Sequence, residues 1–154
     1  MIGGTMRWMS PELLALVQSG LGNSRPTKQS DCYALAMVIY EVLSGQVPFT
    51  PLNYYVVMQK VMEGERPERP EGVAGAWFTD DIWRMLNRCW AAQPDDRPSI
   101  TAVLGCLNRA SREPPSLSVD EDLDTDEDDW RDSSGDRSWS NPRWLFASLR
   151  SILC

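Results

Sequence analysis

Apolar side chains recur at helical spacing in five stretches of the chain, and no stretch alternates apolar with polar as a half-buried strand would. The first stretch opens at Ser10-Pro11-Glu12. Serine there serves as a cap, proline suits the first helical position, and glutamate sits at the positive end of the helix dipole. This helix is expected to run through about Val17, and residues 18–30, rich in Gly, Ser, Asn and Pro, read as a loop. Asp31 then reads as the cap of a helix reaching Ser44, with Gly45 as its stop. Leu35, Val38, Ile39, Val42 and Leu43 form one apolar face, and Cys32, Tyr33, Ala34, Ala36, Met37 and Tyr40 cover the others. A helix that is apolar all round is buried all round, so this one is predicted to be the central strut.

Asn53 is placed to cap a third helix with Tyr54, Val57, Met58 and Val61 on one face and Gly64 at its end. Residues 65–76 are broken by Pro and Gly and read as irregular chain. Thr79-Asp80-Asp81 opens a helix whose stripe is Ile82, Met85, Leu86, Cys89 and Trp90, and Pro94 ends that segment. Trp90 belongs to this stripe as a core residue rather than a ligand platform. Ser99 caps the last helix, with Ile100, Val103, Leu104 and Leu107 as its face. The expected fold is therefore mainly α.

After Arg112 the pattern changes. Pro114-Pro115 breaks the helix, and residues 120–132 hold nine acidic residues. Such a run repels itself and buries too little to fold, so residues 113–154 are read as a largely disordered acidic tail. Residues 141–153 have the spacing of a short amphipathic helix through Trp144, Leu145, Leu149, Ile152 and Leu153. A partner-docking helix, a weak membrane anchor and plain disorder all fit that segment. Ser118 and Thr125 precede acidic residues and are candidate phosphorylation sites for acid-directed kinases.

The net charge of −7 lies entirely in the tail, because residues 1–112 carry as many basic as acidic groups. An acidic tail disfavours nucleic-acid partners. With 154 residues the chain has room for one domain with a real core. Its four cysteines include no Cys-x-x-Cys pair, and there is no histidine to complete a zinc site. Three of those cysteines fall within apolar helical patterns, as free thiols do in a reduced intracellular, cytoplasmic setting. The longest apolar run, Cys32 to Leu43, is too short to span a bilayer, and no signal peptide is visible.

Residues 4–12, Gly4-Thr5-Met6-Arg7-Trp8-Met9-Ser10-Pro11-Glu12, resemble the end of a protein-kinase activation segment. The resemblance to the helical C-lobe of protein kinases continues in order to residue 109 and is closest to the tyrosine-kinase-like group. It implies that Glu12 pairs with Arg97, which stands in Cys89-Trp90-x-x-x-Pro94-x-x-Arg97-Pro98. It implies that Asp31 matches the aspartate that holds the catalytic-loop backbone in the family. Pro48-Phe49, Asn53 and Gly64-Glu65-Arg66-Pro67 match the segment around the substrate-side helix. Thr5, Arg7 and Trp8 match substrate-facing positions, and the Gly-Thr pair resembles serine/threonine kinases more than tyrosine kinases. Ala36 departs from the glycine common in the family's central helix.

The resemblance also defines what these 154 residues lack. Every ATP-handling and catalytic motif of the family lies N-terminal to this run, and three residues precede it here. No His-Arg-Asp, Asp-Phe-Gly or nucleotide-binding lysine strand is present, and Gly20-Leu21-Gly22 lacks the third glycine of a phosphate loop. ATP and Mg2+ serve complete relatives, and no cofactor, metal site or catalytic residue is expected in this chain. Residues 1–112 then read as a partial kinase domain: an incomplete gene model, an internal start or a degenerate copy. The alternative is a lobe-only module that binds kinases or their substrates. Either way, a central helix without the catalytic-loop region and the helix before it is expected to expose apolar surface.

Overall fold

The computed structural model describes residues 6–20 and 25–112. Six α-helices carry these residues: α1 (Pro11–Gln18), α2 (Lys28–Ser44), α3 (Tyr54–Met62), α4 (Gly72–Gly75), α5 (Asp80–Cys89) and α6 (Ile100–Ala110). Short 3-10 turns precede α1 at Met6–Trp8 and α6 at Pro94–Asp96. Among the described residues there is no strand. None of the described helices is long and apolar enough to cross a membrane. The expected tail and the 141–153 helix lie outside the described residues.

Local chemistry explains most helix ends. Asn53 accepts from the Val56 N–H at 3.1 Å, and Ser99 accepts from the Ala102 N–H at 3.3 Å. Gly45 stops α2 in the left-handed region at φ 70°, where its N–H reaches the Glu41 carbonyl at 2.8 Å. Ser10 takes the cap position of α1, but its side chain makes no capping bond.

Helix α2 corrects two expectations. It starts at Lys28, not after Asp31, because Thr27 and Ser30 form a reciprocal capping box. Thr27 Oγ1 accepts from the Ser30 N–H at 3.1 Å, and Ser30 Oγ accepts from the Thr27 N–H at 2.8 Å. Asp31 therefore sits inside the first turn, exposed to solvent. The second correction concerns burial. Cys32, Tyr33, Ala36, Met37, Ile39 and Leu43 are buried, whereas Val38 is 45% exposed and Leu35 and Val42 are only half-buried. The elements that pack on α2, chiefly α5, α4 and the two 3-10 turns, meet one side of it. An apolar helix stays open on any side that no element covers.

The core lies between α2 and α5. Ile82, Met85, Leu86, Cys89 and Trp90 are all buried, as the stripe on α5 requires. Trp90 is 2% exposed and meets Trp83 edge-on at 5.9 Å and Tyr40 at 6.0 Å. Ala36 is fully buried, so the methyl that replaces the family's glycine has found room in the core. On α6 the buried positions are Val103 and Cys106, not the whole stripe from Ile100 to Leu107. Burial raises the pKa of the Cys89 thiol, which keeps it protonated and inert.

Candidate functional site

Arg97 is where the sequence-predicted residues converge. The 3-10 turn Pro94–Asp96 delivers it, and its own N–H closes that turn on the Pro94 carbonyl at 3.2 Å. Its side chain is fully buried. Arg97 Nη1 donates to Glu12 Oε1 at 2.7 Å and Nη2 donates to Glu12 Oε2 at 2.8 Å, a two-pronged bond to a residue in the first turn of α1. Nη1 also reaches the Gln29 carbonyl at 3.0 Å, Nε the Ala91 carbonyl at 3.0 Å and Nη2 the Ala92 carbonyl at 3.5 Å. All five donors of the guanidinium are thereby engaged.

Tyr33 on α2 lies beside two guanidiniums. Arg97 stands 5.2 Å and Arg66 5.4 Å from its ring centre. Burial pushes the Tyr33 phenol up to about 12, against the opposing pull of both arginines. Arg66 donates to the Trp90 carbonyl at 2.9 Å and to the Val61 carbonyl at 3.1 Å. Two arginines thus share the carbonyls of Trp90, Ala91 and Ala92 in the turn that follows α5.

The Glu12 carboxyl titrates below its ordinary value. Burial alone would raise it, but the bonds from Arg97 and the Glu12 backbone N–H outweigh that burial. Glu12 stays ionised with both oxygens occupied, so it is a clamp and not a base.

Arg7 and Trp8 are half-buried and engaged within the fold. Arg7 donates to the Pro48 carbonyl at 2.9 Å and to the Leu52 carbonyl, and it lies 5.3 Å from the Tyr54 ring centre. Trp8 Nε1 donates to Glu41 Oε2 at 2.8 Å. Asp31 is exposed and has no side-chain partner among the described residues. Thr5, Leu21-Gly22, Ser118 and Thr125 lie outside the described residues. Sequence reasoning missed Thr27 and Glu41, and it gave Tyr33 and Arg66 no part beside the clamp. Thr27-x-x-Ser30 carried a capping signal that Asp31 overshadowed. The other three act through distant partners, which spacing does not reveal.

Phosphoryl transfer needs phosphate positioning, metal-holding groups and a base. Among the described residues no group of three or more His, Cys, Asp or Glu could hold a metal ion.

A model of the protein tyrosine and serine/threonine kinase family matches residues 3–107. Among individual proteins, the chain is similar to the serine/threonine-protein kinase mos of Patiria pectinifera, at 30% identity over 118 residues, which is 76% of this chain and 30% of that protein. It is similar to the serine/threonine-protein kinase VIK of Arabidopsis thaliana, at 31% identity over 73% of this chain and 23% of that protein. It is also similar to the probable serine/threonine-protein kinase drkD of Dictyostelium discoideum, at 33% identity over 66% of this chain and 7% of that protein. The chain spans less than a third of the length of each of these relatives.

Proposed function

The chain belongs to the protein tyrosine and serine/threonine kinase family, and from that premise we propose that residues 1–154 are an inactive helical-lobe portion of a serine/threonine kinase. Complete relatives of this kind would transfer phosphate from ATP, with Mg2+, to protein Ser or Thr. The observation that carries the reading is the Arg97–Glu12 clamp, at 2.7 and 2.8 Å, between two motifs that are 85 residues apart. It holds the segment that ends an activation loop against the end of α5, while the sequence contains no histidine for a catalytic loop. Asp31, exposed and without a side-chain partner among the described residues, supports the same reading, because its counterpart in the family holds catalytic-loop backbone. An intracellular setting and protein partners, whether the remainder of a kinase, other kinases or substrates, follow from this reading.

The purified 154-residue chain, given Mg-ATP and a general protein substrate, is expected to yield no phosphoprotein and no nucleotide binding. Phosphate transfer that disappears when a residue of this chain is mutated would overturn the proposal. A second reading, a lobe-only interaction module, is favoured by α3, where Tyr54 is 43%, Tyr55 82% and Met62 43% exposed. Upstream DNA separates the two. An in-frame stretch with His-Arg-Asp and Asp-Phe-Gly supports the first, and a stop codon with an independent promoter supports the second.

A further inference from the structure

Away from the Arg97 clamp, a cleft of about 610 Å3 opens between the end of α2, the loop that follows it, α3 and the 65–74 segment. Its apolar lining includes Val47, Phe49, Leu52 and Pro70, and its charged lining comes mostly from the 65–71 stretch. Phe49 holds a left-handed backbone at φ 62°, uncommon for an aromatic residue.

Each of the three cations of the cleft already has a partner, Arg66 inside the fold and Lys60 and Arg69 in pairs at the surface. Arg66 is bound to the carbonyls of Trp90, Val61 and Glu65. Arg69 pairs with Asp80 at 2.8 Å and also donates to the Phe78 carbonyl, and Lys60 pairs with Glu65 at 2.6 Å. Glu68 and Glu71 are exposed, and among the described residues neither carboxylate has a cation partner. The Lys60 ammonium is held above its ordinary value by Glu65 first, with Glu63 and Glu68 adding to it. The Tyr40 phenol, whose hydroxyl donates to the Glu68 carbonyl at 3.2 Å, is raised by burial and then by the Glu68 charge.

We propose that this cleft is a docking groove for a basic segment of a partner protein, an extended peptide presenting arginine or lysine beside an apolar residue. The apolar residue packs against the Phe49–Leu52 lining, and the basic groups meet Glu68 and Glu71. Nucleotides and acidic peptides fit the cleft poorly, because its free groups are carboxylates. This assignment does not depend on whether the chain is part of an active kinase.

The test uses the full chain and a fluorescent peptide of alternating arginine and leucine, read by fluorescence anisotropy. The double variant Glu68→Gln/Glu71→Gln is expected to bind about five- to tenfold more weakly, with an unchanged melting temperature, since both groups are exposed. A control, Asp128→Asn/Asp129→Asn, removes the same charge from the acidic run and is expected to leave affinity unchanged. A third variant, Leu52→Ala, is expected to weaken binding without changing its salt dependence. The proposal fails if the Glu68/Glu71 variant binds as well as the parent, if the tail variant accounts for the loss, or if a glutamate–leucine peptide binds equally.

Discussion

Arg97 offers five N–H donors, and the fold supplies five acceptors for them: two carboxylate oxygens of Glu12 and the carbonyls of Gln29, Ala91 and Ala92. A fully buried cation is tolerated only when it is matched in this way. Truncating it leaves three carbonyls short of a donor and Glu12 without its counter-charge. Because the Glu12 side chain remains 30% exposed, water recovers part of that loss. Arg97→Ala is expected to cost about 3 kcal/mol in chemical denaturation, near the lower end for a broken buried pair. Arg109→Ala, at an exposed position on α6, is expected to stay within about 0.5 kcal/mol. Equal effects would show that the clamp contributes no stability. The same pair sets a pH response. The folded Glu12 titrates below its ordinary 4.5, so the folded state binds fewer protons there than the unfolded chain. Its contribution is complete above that ordinary value and is lost as pH falls through the lowered one. Unfolding free energies measured from about pH 6 down to pH 3 are expected to fall less steeply in Glu12→Gln than in the parent.

Helix α2 illustrates how one residue's role is decided by its neighbours. Asp31 has the chemistry of a cap, but Thr27 and Ser30 already satisfy the first donors reciprocally, so the helix begins a turn earlier. Thr27→Ala is expected to destabilise the chain by about 1 kcal/mol, and Asp31→Ala by less than about 0.5 kcal/mol, in thermal unfolding followed by circular dichroism. The reverse order would restore Asp31 as the cap. At the other helices the caps at Asn53, Thr79 and Ser99 and the stop at Gly45 were legible, because capping is a contact within one turn of chain. The short helix Gly72–Gly75 was not legible, since four residues give no periodicity to read.

For the molecule as a whole, the one-sided packing of α2 leaves apolar surface open along Leu35, Val38 and Val42. Val38→Thr is expected to lower the binding of an apolar-surface dye while changing stability by less than about 0.5 kcal/mol. Met37→Ala, one residue away and fully buried, is expected to cost about 2–5 kcal/mol. Matching losses from the two would mean that Val38 is as much a core residue as Met37.

The sequence by itself determined the helical class, most helix ends and the family, because periodicity, capping and motif order are carried by residues near one another in the chain. It also marked Glu12 and Arg97, through motifs whose partnership the family resemblance supplied. The tertiary structure alone decided which side of α2 is covered, that Tyr33 lies beside two arginines, and that Arg66 is committed inward while Arg69 pairs with Asp80 at the surface and Glu68 and Glu71 face solvent. Those outcomes depend on where distant backbone carbonyls and helices arrive in space. A guanidinium reads the same in sequence whether its donors meet water or the end of another helix.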